Sequence, residues 1–277
     1  MKKYLLEGMG TMLLVLICCG VAVVSGVNLW VTSLIFGMVL FLLILVIGPA
    51  TGCHINPAVS FAMALKKNIT WKQFALYVVS QFAGALVGSI LLFAFLGFTG
   101  TGANGLGGML YSGYVRDVWE VLVPVHVAVA IVRAFVVEVI LTLIFVGVII
   151  VATTKMKNKV AIAFVIGVTL VVVHLIGINL TGTSVNPARS FGPAVVEMFQ
   201  ANWNPIMYFP IFLVAPMLGA FLAVLLTNVF FKKAKACCEP CASGADCECH
   251  EPCKCEEKQE CGPDCTCGCN EGKDCKC

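Results

Sequence analysis

Six runs of apolar residues, each near the length of a membrane-crossing helix and almost free of charge, limit what this chain can become. They cover roughly residues 8–25, 29–50, 74–98, 134–152, 160–178 and 206–231. At 1.5 Å per residue, about 20 residues of helix cross the ~30 Å hydrocarbon core of a bilayer. Only 12% of the 277 residues are charged and 60% are hydrophobic, too little polar surface for a soluble domain. In lipid every backbone polar group must be satisfied inside the protein, so the runs are predicted to be helices. The fold class read from this is an all-α membrane protein with six transmembrane helices. Lys2 and Lys3 before an apolar stretch imitate a secretory signal, but Glu7 interrupts it and no small-x-small cleavage site follows cleanly. Cys18 and Cys19 lack the preceding small residue of a lipoprotein site. The first run is read as a span.

The lysines orient the six spans. With the N-terminus inside, Lys2, Lys3, Lys66, Lys67, Lys72, Lys155, Lys157, Lys159, Lys232, Lys233 and Lys235 all fall on the cytoplasmic side. Only Arg116, Arg133 and Arg189 fall on or toward the other side. Short loops rich in Lys and Arg stay inside, so both termini are predicted to be cytoplasmic and the protein a multi-pass protein of the cell (plasma) membrane. Residues 1–231 carry a formal charge of +6 and residues 232–277 carry −3. The basic excess therefore reflects topology, and no nucleic-acid partner is expected.

The two ends of the apolar region repeat each other. Glu7-x-x-x-Thr11 in the first span is echoed by Glu138-x-x-x-Thr142 in the fourth. Phe36-Gly37 matches Ile166-Gly167, and Asn56-Pro57-Ala58 matches Asn186-Pro187-Ala188. Gly84-Ala85 matches Gly219-Ala220. The repeats run approximately over 1–98 and 130–231, three spans each. Three is odd, so the second copy enters the membrane from the opposite face and the repeat is inverted. The Gly-rich connector Gly97–Pro124 joins the halves on the outer side. Gly84-x-x-x-Gly88 and Gly219-x-x-x-Ala223 permit close helix packing. Glu7 and Glu138 are costly in lipid unless partnered; anchoring irregular backbone is the preferred reading over a proton relay.

The two Asn-Pro-Ala boxes sit in loops 51–72 and 179–205, each with an apolar stretch too short to span: Ala58 to Leu65 and Ala188 to Met198. Asn at an N-cap followed by Pro at the first helical position is a strong helix start. Each loop is predicted to re-enter the bilayer as extended chain, turn at Asn and return as a half-helix. Two such half-helices entering from opposite faces bring their N-termini together near the midplane, each with roughly +0.5 of an elementary charge. Cations meet a barrier there, while a neutral dipolar molecule can pass and accept an N–H from Asn56 or Asn186.

Topology alone places Phe36, His174, Thr183 and Arg189 on the outer side of that midplane, with Arg189 about one helical turn from Asn186. Together they would make a narrow, polar, cation-repelling ring. Taken singly, Phe36 could be core, His174 a satisfied interior histidine, and Arg189 a partner for Glu197. An arginine at bilayer depth is the costliest of these to leave without a role.

The paired boxes, the paired glutamates and the inverted halves resemble the aquaporin (major intrinsic protein) family across residues 1–231. The resemblance implies a homotetramer with one pore per subunit. Phe36, His174, Thr183 and Arg189 match the aromatic/arginine filter of water-selective members. Glycerol-conducting relatives usually carry Asp after the Arg and Gly in place of the His; here Ser190 and His174 stand there. Water is therefore the expected permeant. Gly52, Cys53 and His54, beside the first box, are expected at the inner vestibule.

Residues 232–277 break from that pattern. They hold 13 of the 16 cysteines: Cys237, Cys238, Cys241, Cys247, Cys249, Cys253, Cys255, Cys261, Cys265, Cys267, Cys269, Cys275 and Cys277. From Lys232 on there is no aromatic residue and no aliphatic one beyond Ala, so the tail cannot form a hydrophobic core and is predicted disordered without help. Close Cys-x-Cys pairs offer soft thiolate ligands that select Zn, Cd or Cu(I), with binding energy supplying folding energy. A disulfide framework is the rival, disfavoured for a cytoplasmic tail. Cys237-Cys238-Glu239-Pro240-Cys241 and the dense pairs resemble metallothioneins.

Two function classes follow. One is a passive water channel with a thiolate metal-binding appendage, no catalysis and no channel cofactor. The other is a membrane-anchored metal-buffering or resistance protein. A channel for another small neutral solute, such as glycerol, arsenite or hydrogen peroxide, is a variant of the first. No nucleophile–base set or phosphate loop marks an enzyme.

Overall fold

Eight helical segments carry nearly all of residues 2–97 and 124–231, the residues that the computed structural model describes. The connector at 98–123, with Arg116, and the tail from 232 onward, with all thirteen of its cysteines, lie outside the described residues. Six helices are long and apolar enough to cross a membrane. In chain order the spans are Lys2–Val24, Leu29–Thr51, Trp71–Leu96, Pro124–Lys155, Lys159–Thr181 and Asn204–Phe230. The first half-helix, Pro57–Leu65, follows the second span; the second, Pro187–Met198, follows the fifth. There is no strand among the described residues. The fourth span begins some ten residues before the predicted run, opening on Pro124, a residue pre-set for the first helical turn. The first span contains one π turn at Val15–Cys19.

Local chemistry sets the ends. Asn28 caps the second span by accepting the Val31 N–H at 3.1 Å, and Asn158 caps the fifth by accepting those of Val160 and Ala161. Thr70 and Gln73 close a capping box on the third. Gly52 and Gly182 end the second and fifth spans at φ +88° and +76°, a backbone that L side chains avoid.

Polarity is arranged for lipid. Large apolar side chains such as Val46, Phe95, Phe164 and Phe230 are exposed, while Glu7, Gln81, Glu138, His174 and Arg189 are buried. Bare backbone meets bare backbone where spans cross. The second and fifth spans cross at Gly37 and Gly167, where a Cβ on either glycine would fall on the other's carbonyl oxygen. A Cβ on Gly84 would strike the backbone of Gly8, and one on Gly219 the carbonyl of Val139. Gly8 and Val139 each follow a repeat glutamate, so the same close approach occurs in both halves. Small residues drive helix association in lipid because they allow such contact.

Candidate functional site

The two half-helices meet N-terminus to N-terminus, joined by their asparagines. Asn56 Oδ1 accepts the Ala58 N–H at 2.8 Å; Asn186 Oδ1 accepts those of Ala188 and Arg189 at 3.1 and 3.3 Å. Each Nδ2 then donates across the repeat, Asn56 to the Val185 carbonyl at 2.7 Å and Asn186 to the Ile55 carbonyl at 2.9 Å. An amide nitrogen carries two hydrogens, so one per asparagine is left over for the space beside the boxes. Pro57, Ala58, Pro187 and Ala188 are buried at the first turns.

The chain entering each box is strained at matched positions. Cys53 and Ile55 have φ +48° and +39°; Thr183 and Val185 have +48° and +44°. Three of these four are β-branched, for which a left-handed backbone is a true outlier. Such strain costs on the order of 1–3 kcal/mol per residue and survives only where the surroundings over-determine it. The glutamates supply that determination. Glu7 accepts the N–H groups of His54 and Ile55 at 3.0 and 2.6 Å and the Thr51 hydroxyl at 2.7 Å. Glu138 accepts those of Ser184 and Val185, both at 2.9 Å, and the Thr181 hydroxyl at 2.6 Å. With its N–H held by a carboxylate, each strained Ile55 or Val185 aims its carbonyl at the opposite asparagine.

A narrow cavity runs past this junction. Leu14, Phe36, Leu40, Phe145, Leu170, His174 and Arg189 line it together with residues 54–56 and 184–186. Its volume is about 20 Å³, little more than the roughly 10–15 Å³ that one water needs. Phe36 and His174 stack with ring centroids 4.2 Å apart, and the Arg189 guanidinium lies 5.3 Å from the Phe36 ring. His174 Nδ1 is 2.9 Å from the Leu170 carbonyl, which can only accept, so Nδ1 bears the hydrogen and a neutral ring leaves Nε2 as an acceptor.

Three of the four predicted ring residues thus come together, and the fourth points elsewhere. Thr183 does not line this cavity; its hydroxyl faces Gly177 of the fifth span, where an added Cβ would be 2.5 Å away. Thr183 has a left-handed backbone, and its side chain is fully buried. Of Gly52, Cys53 and His54, only His54 lines the cavity; Cys53 is buried and Gly52 is exposed. Arg189 stays with Phe36, and Glu197 instead accepts from Asn202 Nδ2 at 2.9 Å. Sequence reasoning missed Gln81, buried in the third span and within 3.0 Å of both Glu7 and Ser60. A glutamine in an otherwise apolar run was the available signal.

Six spans and two half-helices in an inverted repeat around a narrow cavity define a multi-pass membrane protein of the channel-forming type. The major intrinsic protein model matches residues 1–227, and the chain belongs to that family. It is 35% identical over 234 residues to Aquaporin Z of Rhodopseudomonas palustris, covering 82% of this chain and 92% of the relative. It is 30% identical over 230 residues to the glycerol uptake facilitator protein-like 6 of Lactiplantibacillus plantarum, covering 83% and 98%. Among solved structures, the aquaglyceroporin from Plasmodium falciparum shares the fold with a TM-score of 0.65 at 20% identity, covering 83% of this chain and 96% of that one. The chain is accordingly a channel for water or small solutes.

Proposed function

We propose that this chain is a passive water channel that excludes ions and protons, assembled as a homotetramer with both termini cytoplasmic. The observation carrying the water reading is the stack of Phe36 on His174 beside Arg189 over so small a cavity. A neutral His174 would accept a hydrogen from water through Nε2, and Asn56 and Asn186 would each donate their second amide hydrogen to its oxygen. A desolvated cation finds two positive half-helix ends and a guanidinium instead. The 3-carbon chain of glycerol has to pass the same ring, where an imidazole occupies the room.

Stopped-flow light scattering on proteoliposomes tests this directly. Wild type is expected to conduct water and to conduct glycerol poorly, while His174→Gly with Phe36→Leu raises glycerol flux. Glycerol flux equal to water flux in wild type rejects the narrow-filter reading, and a proton current accompanying water rejects the exclusion mechanism. We further propose that residues 232–277 bind soft metal ions, Zn, Cd or Cu(I), through their thiolates. Metal stoichiometry on full chain and on a chain ending at residue 235 checks it; equal metal content in the two forms defeats it.

A further inference from the structure

The first half holds a hydrogen-bond chain that the second lacks. Gln81 Nε2 lies 3.0 Å from Glu7 Oε2 and 3.0 Å from Ser60 Oγ. Glu7 Oε2 already accepts the Ile55 N–H at 2.6 Å, so the Gln81 group facing it is the amide nitrogen, not the carbonyl. Both Gln81 hydrogens are then committed, one to Glu7 and one to Ser60 Oγ. Ser60 Oγ is also 3.1 Å from His54 Nδ1. Having accepted from Gln81, the hydroxyl still has its own hydrogen to give, and His54 Nδ1 is the acceptor within reach. A neutral ring that accepts there bears its proton on Nε2, the nitrogen without a partner, and His54 lines the cavity.

Gln81 serves this arrangement at a cost. Its Oε1 is fully buried with no hydrogen-bond partner, a desolvation loss that an apolar residue of the same shape avoids. The position corresponding to Gln81 in the sixth span is Pro216, and the one corresponding to His54 is Ser184. Packing alone explains neither the glutamine nor its orientation.

We propose that Gln81 and Ser60 are positioning residues that fix His54 as the Nε2–H tautomer, so the passage offers a donor at His54 and, at His174, an acceptor. A donor at His54 leaves no basic nitrogen facing the water file there, so a proton cannot be handed from the file to that ring. The groups around His54 are Glu7 on the first span, Ser60 on the first half-helix, Cys53 beside it, and Tyr77, whose ring lies edge-on at 5.1 Å. The functional consequence rests on the water-channel reading; the tautomer itself does not.

Nitrogen-15 NMR of histidine-labelled full-length protein in bilayers reads the tautomers, with His54→Ala and His174→Ala used for assignment. In wild type His54 is expected with its hydrogen on Nε2 and His174 with its hydrogen on Nδ1, both neutral at pH 7.5. Ser60→Ala and Gln81→Met are expected to move His54 toward a mixture of tautomers while His174 is unmoved. Water permeability of these variants should then become dependent on pH, while wild type stays flat. Ser60→Thr, which keeps the hydroxyl, should restore the wild-type spectrum. His54 bearing its hydrogen on Nδ1 in wild type, or an unchanged His54 signal in both variants, overturns the assignment. If the tautomers are as stated and the protein conducts no water, the channel reading fails and the positioning of His54 stands.

Discussion

Laid over each other, the two halves agree in backbone and differ in side chains. Both hold a strained loop by a buried glutamate, both cap a half-helix with Asn, and both cross a neighbouring span through glycine. Around the first box stand Gln81, His54 and Tyr77; beside the second stand Arg189, His174 and Ser184, while Ser60 and Ser190 share one repeat position. The shared backbone builds a passage, and the unshared side chains set its two ends apart. Duplicated scaffolding with divergent lining lets one fold keep its mechanics while the chemistry at each mouth changes separately.

The largest expected effects strike the shared part. Glu138→Leu removes the acceptor of the Ser184 and Val185 N–H groups, and Glu7→Leu that of the His54 and Ile55 N–H groups and of the Gln81 amide, with a loss of about 1–3 kcal/mol for each buried donor left unsatisfied. Both variants should lose folded protein, Glu7→Leu the more, measured as the thermal midpoint in detergent by tryptophan fluorescence. Equal losses would mean that Gln81 adds nothing to the first anchor. Next come the crossing glycines. Gly37→Ala drives a methyl into Val171 and the Gly167 carbonyl, whereas Gly167→Ala meets the Gly37 carbonyl at 2.8 Å and Phe41 at 3.0 Å. Overpacking of this kind costs about 1–3 kcal/mol, and Gly37→Ala should be the worse on the same assay. Gly167→Ala the worse would show that the crossing is less symmetric than its contacts. The smallest effect is expected at Thr183. Its hydroxyl is buried without a partner and faces away from the passage, so Thr183→Val should change stability by less than about 1 kcal/mol. Water permeability, by stopped flow, should stay at the wild-type level. A clear loss of flux would put the Thr183 side chain back on the permeation path.

Reading the sequence went furthest where the physics is local or periodic. Apolar length gave the six spans, and Asn-Pro at a helix start gave both half-helices, because caps and hydropathy need only neighbouring residues. Glu7 and Glu138 could be marked as needing partners, yet the partners themselves, Thr51 and Thr181 with the loop N–H groups, lie more than forty residues away. The direction of Thr183 was not legible, since nothing in Thr-Gly-Thr-Ser-Val says that a β-branched residue takes φ +48°. Gln81 was passed over for a similar reason: its meaning depends on Glu7 and Ser60, brought together only by the fold.

The π turn at Val15–Cys19 bears on how the two halves drifted apart. From Glu7 to Leu29, the start of the second span, is 22 residues, but from Glu138 to Lys159, the start of the fifth, is 21. A π turn is an α-helix carrying one residue too many, and this one sits inside the longer segment. An insertion there widens a single turn and leaves Glu7 facing its loop, where an insertion taken up by an unbroken helix would swing every later side chain by about 100°. The first span thus has a place where length can change without disturbing the carboxylate on which the neighbouring box depends.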